Sequence, residues 1–342
     1  MKKKGIVFAA VAVVILAAVI VCDFLFNKTA SDTFLAMNTT VSVELTGAKS
    51  SDALTKIKEE ILRLDEKLLS RTNENSEIYA INNGKAKISD ELVTLLTVLK
   101  EIENESGGAF CIGVAQLTDL WGIGTENARV PDEAEIEAAI ENCFDWTIDY
   151  GSKTVHLPEG VKLDLGAVGK GIACDYAYGI VSDRNCKESV VAVGGSVLLD
   201  GRGQGPNVSF KVGIRDPLGE ANEYCAVLET APGCVSTSGN YERFFEDESG
   251  KRYHHIFDPS TGYPADSGLL SVTVEAQYGT ISDALSTACF VLGIEKSLPL
   301  LEKYNADAVF ITEDKQIITT YGEFQNETIT VTNDSYTLGE VK

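Results

Sequence analysis

Residues 164–175 read DLGAVGKGIACD, a glycine-rich stretch that overlaps the end of VKLDL, residues 161–165, in which apolar and charged residues alternate. We expect a strand over VKLDL to enter it and a helix, within residues 164–182, to leave it. Its glycines let backbone amides approach a bound group closely, and a helix N-terminus carries partial positive charge, so an anion is one natural ligand. Equally, glycine here could simply permit a helix to pack closely against its neighbours. The stretch is neither GxGxxG nor a Walker A loop, so neither of those phosphate-binding mechanisms applies.

The predicted elements on both sides of this stretch mix strands and helices without regular βαβ alternation. Alternating residues predict a strand over 33–46, and apolar positions three and four apart predict a helix over 51–69. Further helices are predicted over 76–82, 90–106, 107–124 (after a buried loop), 131–142 (with Pro131 in its first turn), 281–292 and 295–304. Further strands are predicted over 146–164 (as a hairpin), 189–201, 208–214, 223–229, 252–257, 268–276 and 307–320. This irregular order indicates the α+β class.

The N-terminus has the pattern of a membrane anchor. Lys2, Lys3 and Lys4 precede an apolar run of 17 residues, 5–21, near the short end of the ~17–25 residues that cross a bilayer. The positive cluster should stay in the cytoplasm, which directs the rest of the chain outward. A cleaved signal peptide and a lipoprotein acylated at Cys22 are the alternatives to an uncleaved anchor. We therefore expect an anchor over 1–30, one domain over 31–320, and a polar tail or edge hairpin over 321–342.

Charge and cysteine content exclude several classes of function. The formal net charge of −22 argues against nucleic acid as a partner, because phosphate backbones bind basic surfaces. Seven cysteines lie beyond the anchor, scattered and without CxxC spacing. That pattern predicts neither a disulfide framework nor a zinc site.

Two of the three histidines, His254 and His255, are adjacent and open the run HHIFDPSTGYPAD. The residues that follow are turn-formers, which hold polar groups in a fixed arrangement. An imidazole beside such a turn can present a proton carrier or a ligand to a bound molecule.

Three further segments carry candidate chemistry. Gly194-Gly195, between two apolar runs, is typical of a bulge or tight turn. Ser236–Gly239 offers three hydroxyls after a strand, either as donors to phosphate or ribose or as a plain turn. Asp283 and Thr287 lie four apart on one helix face and could form a hard-oxygen half-site for Mg²⁺; alternatively, Asp283 is an acid near a helix N-terminus.

Taken in order, these segments resemble the ApbE family of FAD:protein FMN transferases, from about residue 33 to residue 312. The resemblance rests on nine runs in the family's order. They are AMNTT, SRTNENSEIYAIN, GGAF…LWGIG, DLGAVGKGIACD, AVGGSV, GIRDP, STSGNYERFF, HHIFDPSTGYP and DALSTA.

The resemblance implies an α+β fold of mixed and antiparallel sheets with packed helices, and FAD in a cleft between two subregions. It also implies Mg²⁺ near the FAD pyrophosphate. In the family reaction FAD is cleaved between its phosphates, FMN moves to a threonine or serine hydroxyl of a target protein as a phosphoester, and AMP leaves. No segment of this chain resembles the family's acceptor motif, so we expect a separate flavoprotein acceptor, such as a redox-pump subunit.

Site residues follow by matching motifs. The resemblance implies Asp283, Thr287 and the backbone carbonyl of Ala167 as metal ligands, and His255 and Asp283 as catalytic residues. His255 could be the base for the incoming hydroxyl or only a cofactor contact, and an Asp in the cleft could be the base instead. His254 should point the other way along its strand. The implied FAD contacts are Met37, Ala109, Phe110, Cys111, Asp164, Lys170, Gly194, Gly195, Thr237, Ser238, His255 and Phe257.

Three positions depart from the family pattern. Asn38 stands where many members have glycine, and Cys111 replaces an aspartate, which removes a polar contact to FAD. Thr72 stands where many relatives carry an aromatic that stacks on the flavin. This last departure keeps open an FAD pyrophosphatase that yields FMN and AMP. A non-catalytic FAD-binding lipoprotein is a third possibility, against which the intact metal and histidine positions argue.

Overall fold

The computed structural model describes residues 27–85, 87–201, 208–220, 222–320 and 328–340. Across these ranges no helix has both the length and the apolar character needed to traverse a bilayer. Residues 1–26 of the predicted anchor, which include Cys22, lie outside the described residues.

A nine-stranded sheet forms the centre of the fold, in the order β1-β2-β5-β6-β9-β12-β13-β14-β16. All its pairings are antiparallel except the parallel pairing of β14 with β16. A three-stranded sheet has the order β15-β8-β7, and β3-β4 and β10-β11 form two-stranded ribbons. The strands are β1 Thr29–Ala36, β2 Thr39–Thr46, β3 Thr147–Asp149, β4 Thr154–His156, β5 Glu188–Val193, β6 Ser196–Asp200, β7 Phe210–Arg215, β8 Tyr224–Thr230, β9 Gly233–Gly239, β10 Phe244–Glu246, β11 Arg252–His254, β12 Leu269–Ala276, β13 Asp307–Thr312, β14 Gln316–Thr319, β15 Thr328–Val331 and β16 Thr337–Gly339.

Helices complete the α+β architecture, which confirms the predicted class. They are α1 Ser50–Arg63 (continued by a π-helical turn, Leu64–Leu69), α2 Glu77–Asn82, α3 Asp90–Glu105, α4 Ala115–Trp121, α5 Glu133–Ile140, α6 Gly169–Asp183, α7 Gly279–Leu292 and α8 Ile294–Tyr304. The predicted helices over 51–69, 76–82, 90–106, 281–292 and 295–304 are confirmed within a few residues.

The two faces of the large sheet cover two different cores. On β13, Ala308 and Phe310 belong to the main core, beneath the helices, whereas Val309 and Ile311 belong to a second core. This division follows from the two-residue period of a strand. The second core also contains Leu228 of the three-stranded sheet. The molecule is therefore layered as helices, large sheet and small sheet.

The predicted strand over 33–46 is two strands, β1 and β2, joined by a tight turn. Met37 and Asn38 form the turn and both have positive φ, 52° and 55°. Such a pair is typical of a hairpin turn that matches the twist of its strands. A two-residue turn preserves the alternation of side chains, and no glycine marks it. The pattern therefore continued through the turn without a visible break.

Four other predictions of local structure were wrong. The run VKLDL lies outside the sheets; Leu163 is instead held by hydrogen bonds to the side chain of Asn82. Ser236–Gly239 belongs to β9 and does not follow it. Pro131 precedes the N-cap of α5, Asp132, and so lies outside its first turn. In the C-terminal region β15 pairs with β8 and β16 with β14, so the described residues there do not form an edge hairpin.

The helices α6 and α7 cross with their backbones in contact. A Cβ atom on Gly171 would lie 2.1 Å from the carbonyl oxygen of Gly279, and one on Gly279 would lie 2.3 Å from the carbonyl oxygen of Gly171. Close helix packing therefore accounts for Gly171.

We expect Gly171→Ala to lower the free energy of unfolding by about 3 kcal/mol or more, because the added methyl meets rigid backbone. Gly179→Ala is the matched control, since Gly179 is an exposed residue of the same helix whose Cβ would meet nothing within 4 Å. That substitution should stabilise the protein by roughly 0.5–1 kcal/mol. Denaturant unfolding measures both, and equal effects would contradict the close crossing.

Candidate active site

Asp283 lies buried where α6, α7 and the start of β6 meet. Its Oδ2 accepts a hydrogen bond from the backbone N–H of Gly171 at 2.8 Å, and its Oδ1 accepts one from Ser196 Oγ at 3.0 Å. Lys170 Nζ lies 3.8 Å from the same Oδ1. A buried carboxylate with these partners is held rigidly and keeps a positive charge at its edge.

Thr287, one turn beyond Asp283 on α7, is held by the strand beneath. Its Oγ1 lies 3.2 Å from Ser238 Oγ, which also lies 2.8 Å from Ser286 Oγ. Two residues earlier on β9, Ser236 Oγ lies 2.8 Å from Ser282 Oγ. The hydroxyls of Ser236 and Ser238 therefore face α7, and Ser238 contacts Ser286 more closely than it contacts Thr287.

Thr237 points to the opposite face of the large sheet. Its Oγ1 lies 2.8 Å from Thr273 Oγ1 on β12, whose neighbours Val272 and Val274 face the main core. Because strand side chains alternate, the structure separates the Thr237 side chain from Asp283 and Thr287. Its backbone lies next to the predicted site, because its N–H donates to the Gly195 carbonyl oxygen at 3.0 Å.

Gly194 and Gly195 form the tight turn between β5 and β6. Gly194 has φ of +55°, and a Cβ there would lie 2.7 Å from Thr39 Oγ1 and 3.3 Å from Lys170 Cδ. The missing side chain therefore lets Lys170 pass beside the turn. The predicted turn is confirmed, and it brings Thr39, of the AMNTT run, to the same place.

Met37 and Asp164 are each held by a charged side chain. The backbone N–H of Met37 donates to Asp65 Oδ2 at 2.7 Å. Asp164 accepts from the N–H of Gly166 at 2.8 Å through Oδ1, and its Oδ2 lies 2.9 Å from Arg71 Nε. Arg71 was not among the predicted site residues, although it lies next to Thr72 in the run SRTNENSE. Thr72 itself is exposed.

The predicted contacts of the GGAF segment are buried in the fold. Phe110 is fully buried, and Ala109 and Cys111 are nearly so. Cys111 Sγ lies 3.6 Å from the carbonyl oxygen of Cys143. Contact with the Cys143 thiol and burial raise the pKa of Cys111 well above its usual range, so it stays a neutral thiol.

The two histidines have different environments, as predicted. His254 is buried; its Nε2 lies 3.0 Å from the Ala265 carbonyl oxygen, and its Nδ1 accepts from the N–H of Ile256. It is therefore a satisfied core residue. His255 Nδ1 lies 3.2 Å from the carbonyl oxygen of Arg243. Because a carbonyl only accepts, Nδ1 carries the proton and Nε2 keeps its lone pair.

Burial, followed by the positive charge of Arg243, lowers the pKa of His255 to about 4, and Lys170 contributes to the shift. Desolvation likewise lowers the pKa of His254. Phe257, nearby in sequence, is buried against Trp121, with ring centroids 5.8 Å apart.

We expect the free energy of unfolding to fall as the pH falls from about 6.5 towards 4, since the unfolded chain then binds protons that the folded imidazole of His255 refuses. His255→Gln should make the loss of melting temperature between pH 7 and pH 5 smaller than in the unaltered protein. His156→Gln, at an exposed position in β4, should leave that loss unchanged. A His255→Gln profile parallel to the unaltered one would contradict the lowered pKa.

The donor set around Asp283 suits a hard divalent cation. A carboxylate and a hydroxyl on adjacent turns of α7 are oxygen ligands of the kind that Mg²⁺ prefers. Ala167, whose carbonyl is the third predicted ligand, lies in the turn directly before α6. Within the described ranges no three His, Cys, Asp or Glu side chains cluster to hold a metal. The predicted set contains one such side chain, Asp283, and takes its other oxygen ligands from a hydroxyl and a backbone carbonyl.

The structure thus brings several predicted residues into one contact network and leaves others apart. The residues in the network are Lys170, Gly194, Gly195, Ser238, Asp283 and Thr287. Ser196 and Thr39 also belong to it and were missed, although both stand in the runs AVGGSV and AMNTT. The side chain of Thr237 lies on the opposite face of the sheet.

Comparisons with known proteins agree with this fold and these motifs. Residues 37–310 match the ApbE family. The FAD:protein FMN transferase of Treponema pallidum is 35% identical over 277 residues, which cover 75% of this chain and 76% of that protein. The FAD:protein FMN transferase of Escherichia coli K12 is 30% identical over 265 residues, covering 74% and 75% of the two chains.

Solved structures show the same similarity. The crystal structure of the ApbE protein from Thermotoga maritima superposes with a TM-score of 0.76 at 33% identity, covering 84% of this chain and 95% of that one. The apo flavinyl transferase ApbE of Pseudomonas stutzeri gives a TM-score of 0.69 at 25% identity, covering 89% and 95%.

Proposed function

The chain belongs to the ApbE family, and we propose that it acts as a FAD:protein FMN transferase. The observation that carries the proposal is Asp283, a buried carboxylate joined to Gly171, Ser196 and Lys170 within the region that matches the family. A buried carboxylate is costly to keep unless it is hydrogen-bonded, paired with a positive charge or bound to a cation. The site therefore suits a metal-assisted reaction of phosphates.

We propose that Asp283, Thr287 and the backbone carbonyl of Ala167 hold Mg²⁺. When bound, the ion would neutralise charge on the FAD pyrophosphate and on departing AMP. The other ligands of such an ion are usually water and phosphate oxygens, which suits a site with few protein ligands.

Positive groups of the chain itself would hold the pyrophosphate. A net charge of −22 repels FAD phosphates, so binding must rely on local positive charge. Lys170 supplies an ammonium group at the mouth of the Asp283 site, and its side chain is 27% exposed and therefore accessible. The Gly194-Gly195 turn lies beside it; the N–H of Gly194 donates to the Thr40 carbonyl oxygen at 3.0 Å, and the N–H of Gly195 would be the donor to an anion.

We propose that the incoming nucleophile is a threonine or serine hydroxyl of a separate flavoprotein. Its oxygen bonds to the FMN phosphorus, the bond from that phosphorus to the AMP oxygen breaks, and the AMP oxygen keeps the electron pair. His255 Nε2 would accept the hydroxyl proton. With a pKa of about 4 it is unprotonated at neutral pH and a weak base, so positioning must contribute much of the effect.

The alternative reaction is hydrolysis of FAD to FMN and AMP, with water in place of the hydroxyl. The exposed Thr72 favours it, because no aromatic ring stands there to stack on the flavin. The second alternative, an FAD-binding lipoprotein without chemistry, is another outcome of the following experiment.

We expect the full chain in detergent, given FAD, Mg²⁺ and an acceptor flavoprotein, to add one FMN to the acceptor and release AMP. Asp283→Asn should slow this transfer by at least about 100-fold, since it removes the anionic metal ligand. Asp90→Asn is the control, because Asp90 is an exposed carboxylate at the start of α3. Mass spectrometry of the acceptor and chromatography of nucleotides are the measurements.

Each other result of this experiment has a distinct meaning. Transfer that persists in Asp283→Asn contradicts the metal assignment. FMN and AMP without acceptor labelling identify a pyrophosphatase. FAD binding with neither product identifies a binding protein.

We also propose that residues 1–30 tether the domain to the cell membrane, with residues 31–320 on the extracytoplasmic side. The support is the order of Lys2–Lys4 and the apolar run that follows. The chain should sediment with membranes, and protease added outside spheroplasts should digest it. Mass spectrometry of the purified chain should find residues 1–21 present for an uncleaved anchor, and absent, with an acyl group on Cys22, for a lipoprotein. A soluble, protease-protected chain would contradict the topology.

A further inference from the structure

Asp175, in the second turn of α6, caps the N-terminus of the neighbouring helix α7. Its Oδ1 accepts from the N–H of Gly279 at 2.6 Å. Its Oδ2 accepts from the N–H of Thr280 at 2.8 Å and from Thr280 Oγ1 at 2.5 Å. The first amides of a helix have no partner within the helix. Within the described chain the N-cap residue Tyr278 supplies no side-chain cap, so Asp175 satisfies these amides from another helix.

The capping is reciprocal. Asp283, one turn into α7, accepts from the N–H of Gly171 near the start of α6. Each helix therefore contributes a carboxylate to the N-terminus of the other, and the Gly171–Gly279 backbone contact lies between the two pairs. A rotation or slide of α7 would break both pairs at once.

We propose that Asp175 is a positioning residue for the metal site: it sets the position of α7 and thereby of Asp283 and Thr287. The inference rests on the proposed function, because it concerns the Mg²⁺ that Asp283 and Thr287 would hold. The two ligands lie four and eight residues after Gly279, so their directions depend on where the helix begins and how it is rotated.

The chemistry of the cap supports a role beyond holding a helix. Burial and the nearby charge of Asp283 raise the pKa of Asp175, against the effect of its three hydrogen bonds. A neutral serine at position 278 could cap the same helix without bringing a second carboxylate near Asp283. The same electrostatic interaction that disfavours two neighbouring carboxylates favours a cation beside them.

The test compares Asp175→Asn with the unaltered full chain. We expect the Mg²⁺ concentration for half-maximal FMN transfer to rise about tenfold in the variant, with the maximal rate largely retained at saturating Mg²⁺. The Mg²⁺ concentration that raises the unfolding temperature, measured without FAD or acceptor, should rise by the same factor. A purely structural cap would lower stability and leave both midpoints in place.

Thr280→Val tests the inference if Asp175→Asn does not fold. It removes only one of the three hydrogen bonds to Asp175 and keeps the size and shape of the side chain at position 280. It should move the same midpoints in the same direction by a smaller factor. Ser89→Ala is the matched control, because it removes an N-cap from α3, where Ser89 Oγ accepts from the N–H of Leu92. It should lower stability and leave the Mg²⁺ midpoints unchanged.

Unchanged midpoints in both Asp175→Asn and Thr280→Val would overturn the inference and leave the proposed function intact. If the unaltered chain does not transfer FMN, the proposed transferase activity is wrong. The Mg²⁺ midpoints of thermal unfolding would still test the role of Asp175. The unaltered chain could also transfer FMN equally well without Mg²⁺ and show no change of unfolding temperature with Mg²⁺. That result would contradict both the proposed metal site and this inference.

Discussion

The crossing of α6 and α7 is the constraint on which the rest of the structure depends. Two glycines, Gly171 and Gly279, bring the helix backbones into contact, and no larger residue fits between them. At this short separation Asp283 reaches the amide of Gly171, and Asp175 reaches the start of α7. The sheet beneath then aligns its hydroxyls with α7. The candidate site is thus formed by helix packing as much as by its own side chains.

Electrostatics explains how so acidic a chain can handle an anionic substrate. Charge far from zero affects approach and solubility, whereas binding depends on the groups within a few ångströms. In the proposed function Lys170 and the N–H of Gly195 provide those groups, and the buried Asp283 would hold a cation. Arg71 forms an ion pair with Asp164, and the backbone carbonyl oxygen of Arg243 lies within hydrogen-bond distance of His255 Nδ1.

Local periodicity predicted most helices because α1, α3 and α7 show regular apolar spacing and lie against one core. Periodicity gave wrong strand predictions where a two-residue alternation continued through a turn or lay in a segment outside the sheets. The alternation of residues 33–46 continues through the Met37-Asn38 turn, and that of residues 161–165 belongs to an extended segment outside the sheets. The hydroxyls of residues 236–238 suggested a turn, because sequence alone does not reveal that α7 lies above them.

By itself, the sequence determined the α+β class, the family resemblance and the identity of the residues near the site, because motifs and periods are local properties. Only the tertiary structure decided how these residues are used. Gly171 became a helix contact, Ser238 a partner of Thr287, Thr237 a residue of the opposite face, and Asp175 a cap in another helix. The physical reason is that these roles depend on contacts between segments up to about a hundred residues apart, such as Asp175 with Gly279. Only the packing of the whole chain sets such contacts.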